Sequence, residues 1–579
     1  MRWWILVLAV WSGLANAAAR PRLHIAIEGE AVPELQANIR AHLSVAQLPC
    51  STPLARLQSL RRRTEREVNA AARALGYYHA RITMLRFFRN EGCWQLKLGI
   101  IPGPRTRFGP IHIELIGEAA NDPAFDQLRR FPPIHPGQPL DHADYEKLKL
   151  AFRMLALKRG YFDARFIVHE LKVDPAKNLA TVHLCFDSGP RYHIGPIKIE
   201  QDFLAPNFIR RYLTIKPEQP YESQAIAELH KTLRQLDLFE EIKIYTEPVS
   251  EPTPQVPINI VLTPRKRHRY NFGIGYNTNT GPWVKFGYEN RRLNRYGHRF
   301  GAHLKLSFID PSAALSYFIP LGNTPNENLR LNAGYRNERL STYTSHQGTL
   351  NAIYNHPRGH WQESLSLGIE FEHSDFKDGK PFSTLLLTPA GHWVGRKLQQ
   401  DGHIVTHGHR LDLGLSGGMN LYERSGYLKS DLWGKYIFSL PWSARLLHRW
   451  QIGAIYAPNF EHVPASVRFY AGGNDSLRGY RYRSLGPKDE QDKTVGGRFL
   501  GLLSLEYEQR VYKQWGVAVF FDAGNAFDRL TDIETLSRFG TGIGIRWFSP
   551  VGVVRLDFAT PVIRDTPQLR FHFSVGPEL

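Results

Sequence analysis

Apolar and polar side chains alternate residue by residue through most of the carboxy-terminal half of this chain. Segment 270–276 places Tyr, Phe, Ile and Tyr at every second position, with Asn and Gly between them. Segment 569–575 repeats the pattern, with Leu, Phe, Phe and Val set against Arg, His and Ser. A period of two residues indicates β-strands with one apolar and one polar face. Residues 266–579 are therefore predicted to be β-structure with little helix.

The apolar faces of such strands can be removed from water in two ways. A soluble β-sandwich packs the apolar faces of two sheets together, whereas a membrane barrel turns them towards lipid and keeps a polar lumen. We favour the barrel because the apolar positions are often aromatic and the opposite positions carry charge and glycine. Closing the sheet into a barrel also pairs the backbone N–H and C=O groups of the edge strands. Left unpaired in hydrocarbon, each would cost several kcal/mol. The length fits a transmembrane antiparallel β-barrel of about 16 strands, at roughly ten residues per strand plus loops.

The first 17 residues have the anatomy of a secretory signal. Arg2 supplies a positive charge, Trp3–Trp11 an apolar core, and Ala15–Ala17 a cleavage site of small residues. The core is too short for a membrane-spanning helix, which takes about 20 residues, and the chain has no longer apolar run. A buried hydrophobic strand is the alternative. We expect residues 1–17 to be a signal peptide and the mature chain to lie beyond the inner membrane.

A tandem repeat organises the amino-terminal half. Gly103–Ile113 reads like Gly189–Ile199, and Gly76–Arg81 reads like Gly160–Arg165. A sustained offset indicates tandem domains. Each unit reads strand, helix, helix, strand, strand, which predicts small α+β domains. The three predicted domains span residues 22–102, 107–190 and 194–264.

The second unit illustrates the predicted packing. Segment 145–157 is predicted to be a helix, and Gly160 follows where a helix C-cap requires a residue that tolerates positive φ. The residues placed near one helical face are Leu148, Leu150, Phe152 and Leu155. We interpret all of these residues as structural.

Few cysteines are present. Cys50 and Cys93 fall in the same predicted domain, so in an oxidising compartment they can form a disulfide or remain free thiols, because spacing alone does not fix their geometry. Cys185 is predicted to be a small packed residue in its strand. No cluster has metal-ligand spacing, and we expect neither a metal nor another cofactor.

The net charge of +19 comes from 73 Lys and Arg against 54 Asp and Glu. It is compatible with nucleic acid, anionic lipid or a solvated basic surface. We expect no nucleic-acid partner, because zinc spacing, a phosphate loop and an aromatic RNA motif are all missing. His-Glu-x-x-His is also missing, so we expect no enzyme. The basic run Arg265–Arg269 would meet lipid phosphates at the inner rim or, as we favour, form a solvated linker.

Three motifs in the barrel segment narrow the family. They lie in order at Phe469–Tyr480, Val519–Phe527 and Gly540–Gly552. Together they resemble the signatures of the outer-membrane assembly superfamily that contains BamA, TamA and the two-partner secretion transporters. The repeated units resemble POTRA domains, the periplasmic modules of these proteins. The resemblance implies α+β periplasmic POTRA domains followed by a barrel in the cell outer membrane.

The resemblance also implies a lid loop. Arg478-Gly479-Tyr480 corresponds to the lid-loop motif, although Leu477 replaces the common Val or Ile. Asp522 corresponds to the aspartate of the facing barrel strand, with Gly524 in the same motif. The alternation agrees with this assignment, because Phe521 on the apolar face leaves Asp522 in the lumen. A charge-assisted, bidentate contact between the arginine and this carboxylate is expected.

Within the superfamily, the number of POTRA units makes the chain most similar to the TamA branch. BamA-like chains carry more units, and two-partner transporters carry fewer. The resemblance implies a factor that helps insert outer-membrane proteins, including autotransporters, together with the inner-membrane-anchored partner TamB. Unfolded outer-membrane proteins and outer-membrane lipids are its other expected partners. A two-partner-type secretion pore and a BamA-like general insertase are the alternatives.

The barrel is expected to close by pairing its first strand, 270–276, with its last, 569–576. Two glycines in the first strand and Pro577 after the last predict a weak seam, because glycine adds no packing and proline donates no ladder bond. A client strand could add to the opened edge by backbone hydrogen bonding. The seam residues singled out are Gly273, Ile274, Gly275, Phe571, Phe573 and Gly576.

Overall fold

The computed structural model describes most of the chain, and the predicted signal peptide lies outside the described residues. The described residues are 22–29, 32–249, 253–278, 281–340, 343–376, 381–401, 404–423, 425–490, 492–549, 552–562 and 568–576. They divide into two compact units. The first holds two small α/β domains and part of a third, and the second holds the rest of the third domain and a large sheet.

The first domain is a three-stranded sheet covered by helices. Its sheet order is β1-β3-β2, with β1 parallel and β2 antiparallel to β3. Val68 and Ala71 of its longest helix are fully buried in the core. A disulfide joins Cys50 to Cys93, with their Cα atoms 4.4 Å apart. The elements are β1 His24–Glu28, α1 Pro33–His42, α2 Leu54–Ser59, α3 Arg61–Ala74, β2 Arg81–Asn90 and β3 Cys93–Ile101.

The second domain repeats this topology, with sheet order β4-β6-β5. Tyr145, Leu148 and Phe152 of its long helix are buried, but Leu150 is 56% exposed, so its predicted burial is wrong. Leu150 follows Leu148 by two residues, which places it on the far side of a helix with 3.6 residues per turn. Gly160 caps this helix at φ +82° as predicted. The elements are β4 Arg107–Ile116, α4 Pro123–Arg130, α5 His142–Arg159, β5 Arg165–Asp174 and β6 Leu179–Asp187.

The third sheet has the order β7-β9-β8, so all three sheets place the last strand of the domain in the middle. Val256, Ile258 and Ile260 of that middle strand are fully buried. The elements are β7 His193–Glu200, α6 Pro206–Arg210, α7 Ser223–Gln235, β8 Phe239–Thr246 and β9 Gln255–Pro264.

Asp122 organises the helices of the second domain. Its carboxylate accepts hydrogen bonds from the Ala124 N–H (3.0 Å), from Arg159 Nε (2.7 Å) and from the Tyr161 hydroxyl (3.1 Å). Burial alone would raise the pKa of Asp122, but the Ala124 N–H and the Arg159 guanidinium lower it below its ordinary value. The ionised carboxylate therefore stabilises the start of α4 and the end of α5 together.

This carboxylate predicts a pH dependence. Because the folded pKa is depressed, its contribution to stability is complete above the ordinary Asp pKa of about 4 and is lost as pH falls through the lower folded value. We expect Asp122→Asn to remove that acid-dependent loss and to speed amide hydrogen exchange around residues 118–161 at neutral pH. Glu146→Gln, whose side chain is 64% exposed, is the matched control. Equal exchange in both variants would contradict this role.

In the described residues after Pro264 the strands form a single antiparallel sheet of 16, which confirms the predicted barrel and strand number. Consecutive strands are neighbours throughout, so the sheet is an up-and-down meander that runs from β10 to β25. The strands are β10 His268–Asn277, β11 Gly281–Asn290, β12 Arg299–Ser307, β13 Ser312–Pro320, β14 Asn328–Arg339, β15 Tyr343–Arg358, β16 Trp361–Phe376, β17 Phe382–Asp401, β18 Ile404–Asn420, β19 Gly426–Leu440, β20 Ala444–Tyr456, β21 Phe499–Tyr512, β22 Trp515–Phe527, β23 Arg538–Ser549, β24 Gly552–Val562 and β25 Arg570–Gly576. A short helix, α8 Ile533–Leu536, follows β22.

The two faces of the barrel wall differ as the alternation predicts. Val517 and Val519 on β22 are about half exposed (49% and 51%), whereas Asp522, an odd number of residues away, is fully buried. Apolar side chains therefore cover the outer face and charged ones point into the lumen. No helix among the described residues is both long and apolar enough to cross a bilayer.

The first and last strands meet without the predicted pairing. In the described part of the chain no ladder joins β10 to β25, although the rings of Tyr276 and Phe573 approach to 6.4 Å between centroids. β25 instead pairs with β24 along 570–576, and β10 pairs with β11 along its whole length. The predicted closure by backbone pairing is therefore wrong, because each of these two strands forms backbone hydrogen bonds along one edge only.

Packing also explains a seam glycine. A Cβ atom on Gly275 would overlap the indole ring of Trp283, its partner on β11, and the same ring lies 3.5 Å from the Cβ position of Gly273. The indole ring thus occupies the space that side chains would take on the lumenal face of β10. Ile274, between the two glycines, is 75% exposed on the outer face. The edge strand β10 therefore has glycines on its lumenal face and apolar side chains on its outer face.

Candidate functional site

A long segment between β20 and β21, residues 457–498, carries the predicted lid motif into the lumen. This segment has an apolar core of its own, in which Val463, Val467 and Phe469 pack with Ile455 and Leu500 at the adjoining strands. Lys429 on β19 donates a hydrogen bond to the Val467 carbonyl at 2.8 Å. The segment, called the inserted loop below, is therefore a folded element.

Arg478 lies at the tip of the inserted loop and contacts Asp522, as predicted. Its Nε and Nη2 atoms donate to the two carboxylate oxygens at 2.8 and 2.9 Å, and its backbone N–H donates at 3.0 Å. Ser504 donates to the same carboxylate at 2.6 Å. The Phe520 ring lies under the guanidinium, 3.4 Å from Cζ to the ring centroid. Both charged side chains are almost fully excluded from solvent, at 4% and 0% exposure.

The contact is part of a larger ion network that sequence analysis missed. Arg478 Nη1 also donates to Glu506 at 2.6 Å and to Asp557 at 3.2 Å. Arg546 on β23 binds the same two carboxylates, at 2.5 and 2.6 Å, and reaches Glu508 at 3.0 Å. Each carboxylate thus shares its charge between two arginines, which lowers the cost of burying it.

A signal for these residues was present in the sequence. Glu506 and Glu508 alternate with Leu505 and Tyr507, whose side chains are 43% and 39% exposed on the outer face. The alternation places both glutamates in the lumen, as it does Asp522. Their convergence on Arg478 depends on strand register and on the path of the loop, which the sequence pattern does not define.

The rest of the motif links the inserted loop to the last strand. Gly479 has φ +94°, and a Cβ atom there would lie 2.9 Å from the Thr560 carbonyl carbon. Its N–H donates to His572 Nε2 on β25 at 3.1 Å, so this ring nitrogen carries no proton. Tyr480 donates its hydroxyl to the Phe539 carbonyl on β23 at 3.3 Å. Gly524, at φ +140°, allows β22 to approach Gly501 on β21 closely.

A second anchor holds the loop to the opposite part of the barrel wall. Arg483 donates to the Glu338 carboxylate at 2.9 Å and to the Tyr343 hydroxyl at 2.8 Å, and Tyr343 donates to the same carboxylate at 2.8 Å. Glu338 and Tyr343 are each 1% exposed. They lie on β14 and β15, far in strand order from β21–β24. The inserted loop therefore bridges the lumen between two parts of the wall.

The second anchor predicts a local effect. Arg483→Gln leaves the Glu338 carboxylate with fewer charged donors, at a cost of about 1–3 kcal/mol. We expect faster protease cleavage of the inserted loop near residue 483, while the Arg478 end stays in place. Arg481→Gln, an exposed position on the same loop, is the control. Limited proteolysis of the reconstituted protein provides the measurement, and unchanged cleavage in Arg483→Gln would rule out the anchor.

The site offers charge recognition between the inserted loop and the barrel wall. No group of three or more His, Cys, Asp and Glu side chains with metal-binding geometry occurs among the described residues. The seam positions Phe571 and Phe573 face outwards beside β24, and the Phe571 ring lies 5.6 Å from that of Phe558. The seam thus lies next to the His572 contact of the inserted loop.

Comparison with protein families decides the identity. A model of the Omp85 superfamily domain matches residues 293–578, and a model of the first POTRA domain of TamA matches residues 24–102. The chain carries an Omp85 superfamily domain together with a TamA-type POTRA domain. The superfamily consists of outer-membrane assembly and transport proteins, so this Omp85 protein has its barrel in the outer membrane and its amino-terminal domains in the periplasm.

Relatives support the assignment. The Omp85 chain is 22% identical to the outer membrane protein assembly factor BamA of Neisseria meningitidis over 86% of this chain and 70% of the relative. It is 35% identical to BamA of Nitratidesulfovibrio vulgaris, but that match spans only 21% of this chain and 17% of the relative. The crystal structure of Haemophilus ducreyi BamA lacking POTRA domains 1–3 shares the fold, with a TM-score of 0.67 at 18% identity, covering 81% of this chain and 99% of that one.

Proposed function

We propose that this Omp85 protein is an assembly factor that inserts outer-membrane proteins through the seam between β10 and β25. The observation that carries the proposal is the unpaired edge: the described residues of these two strands form no ladder with each other. An unpaired strand edge presents a row of N–H and C=O groups to another chain. In the membrane this edge can be satisfied by an incoming strand of a client barrel.

The energetics favour this route. A client strand that adds to β10 gains backbone hydrogen bonds by β-augmentation and then buries its apolar face in lipid. No nucleotide or other energy source is needed. The Gly479–His572 hydrogen bond ties the inserted loop to β25, so the loop position and the seam respond to each other. In this mechanism the inserted loop acts as the lid of the lumen.

We assign the chain to the TamA branch. The first domain matches the TamA-type POTRA model, and three sheets of one topology precede the barrel. A TamB-like, inner-membrane-anchored protein is the proposed partner of these domains, and autotransporters are among the proposed clients. Edge strands of the POTRA sheets provide surfaces for such extended segments.

Reconstitution tests the function. Vesicles that contain the purified protein are mixed with a urea-unfolded autotransporter barrel, and insertion is followed by the heat-modifiable gel mobility of the folded client. Vesicles with an unrelated closed barrel are the control. We expect faster client folding with the Omp85 protein. Equal rates would contradict an insertase, and release of the client into the vesicle interior would indicate a secretion pore instead.

The branch has its own test. The tagged chain is co-expressed with the TamB-like protein of the same genome and, in parallel, with an unrelated inner-membrane-anchored periplasmic protein. We expect stable capture of the first and no capture of the second. Failure to recover the TamB-like protein with the tagged chain would contradict the TamA assignment while leaving the insertase proposal intact.

A further inference from the structure

The periplasmic rim of the barrel beside β10 carries a dense cluster of cations, called the rim cluster. It joins the segment before β10 to the turn between β11 and β12. Its members are Arg265, Lys266, Arg267, Arg269, Arg291, Arg292, Arg295 and Arg299. Asp237 pairs with both Arg265 and Arg291, and Glu289 lies 3.7 Å from Arg269. The carboxylates paired with it are fewer than the cations, so the cluster keeps an excess of positive charge.

Arg292 is a member of the cluster whose guanidinium is not satisfied by these carboxylates. Its Nε and Nη1 atoms are buried and have no hydrogen-bond partner in the described part of the chain. The Phe203 ring covers one side of the guanidinium, 4.5 Å from Cζ to the centroid. Burial and the charge of Arg267 lower the pKa of Arg292, and Asp202 opposes them only partly. Two unpartnered N–H groups in a partly buried guanidinium are costly, and an anion bound beside it would offset part of that cost.

An apolar groove adjoins the cluster on the outer wall. It is a concavity of about 990 Å³. Tyr288, at its edge, precedes Arg291 by three residues, about 10 Å along an extended strand. Strand register places the apolar lining side chains in two adjacent rows on the lipid-facing side. The groove has aromatic walls and a floor of small side chains: Tyr270, Phe286, Tyr288, Ala302, Ala313 and Ala333.

We propose that the rim cluster and the groove together bind one anionic phospholipid, with the phosphodiester on Arg292 and Arg267 and an acyl chain in the groove. Guanidinium forks match phosphate oxygens in geometry and charge. A free phosphate would leave the groove empty, and an acidic peptide would not fill it with hydrocarbon. The site lies at the level of lipid headgroups, where each basic residue contributes to attraction.

This binding site is independent of the proposed insertase function, because it is measured without a client. Purified full-length protein in detergent is titrated with dioleoyl phosphatidylglycerol, and the bound fraction is read by native mass spectrometry. We expect one lipid per chain. Arg292→Gln should weaken binding about fivefold, and Arg267→Gln with Arg292→Gln about 25-fold, from the ~1 kcal/mol that each basic residue contributes near a membrane surface.

Controls separate the possible ligands. Arg358→Gln, an exposed arginine at the end of β15, should bind like the parent. Ala313→Trp fills the groove and should weaken phosphatidylglycerol binding while leaving the rim cations unchanged. Dioleoyl phosphatidylcholine and inorganic phosphate should bind more weakly than phosphatidylglycerol. Equal binding of phosphatidylcholine, equal binding of inorganic phosphate, or parent-like affinity in both Arg292→Gln and Ala313→Trp would each overturn the proposal.

Discussion

Locking the first barrel strand to the last is expected to reduce client insertion to the rate of vesicles without the protein. If clients enter by pairing with the free edge of β10, a covalent bridge to β25 removes that edge. The effect should be close to complete, because within the described residues every strand other than β10 and β25 has two paired neighbours. The lock acts on the seam alone and leaves the lumenal network in place.

The facing rings of Tyr276 and Phe573 define where to place the bridge. Tyr276→Cys with Phe573→Cys is joined by a short bis-maleimide in a Cys185→Ala background, since Cys185 is the free cysteine of the described chain. Phe272→Cys with Phe286→Cys is the matched control, because these residues already pair across β10 and β11. Client folding in vesicles is the readout. Parent-like insertion with a fully bridged seam would remove lateral opening from the mechanism.

The sequence pattern predicted those features that depend on local periodicity. Alternation identified the barrel and the lumenal position of Asp522, because a period of two assigns each side chain to a face whatever the register. The strand number followed from the length of the segment. The helix of the second POTRA-like domain followed from its apolar spacing. Leu150 was wrongly assigned to the buried face because it is apolar. Its angular position around the helix axis, two residues after Leu148, places it on the opposite face.

Features that depend on long-range register were not predictable. The convergence of Glu506, Asp557 and Arg546 on Arg478 requires the order of strands β21–β24 and the depth of the inserted loop. The Arg483 anchor pairs residues 145 positions apart. The unpaired seam likewise depends on long-range arrangement, because β10 and β25 lie at the two ends of the sheet. The glycines suggested its weakness, whereas the packing of Trp283 against Gly275 appears only in three dimensions.

Replacing Arg478 by Ala is expected to release the tip of the inserted loop from the lumen. The change leaves Asp522 without its bidentate partner and removes a shared cation from Glu506 and Asp557. Breaking a buried ion pair from one side costs about 3–5 kcal/mol, because the remaining charge stays buried and unpaired. We expect protease cleavage within residues 457–498, altered heat-modifiable mobility and a loss of client insertion.

Matched variants assign this loss to the ion network. Arg481→Ala, three residues further along the loop and exposed, should behave like the parent, and Arg478→Lys should be intermediate because an ammonium cannot reproduce the fork. Adding Asp522→Asn to Arg478→Ala removes the stranded charge, so the double variant should be more stable than the sum of the single effects by up to about 3 kcal/mol. Strict additivity would show that the two residues are not coupled. A protected loop and full activity in Arg478→Ala would mean that the second anchor at Arg483 holds the loop by itself.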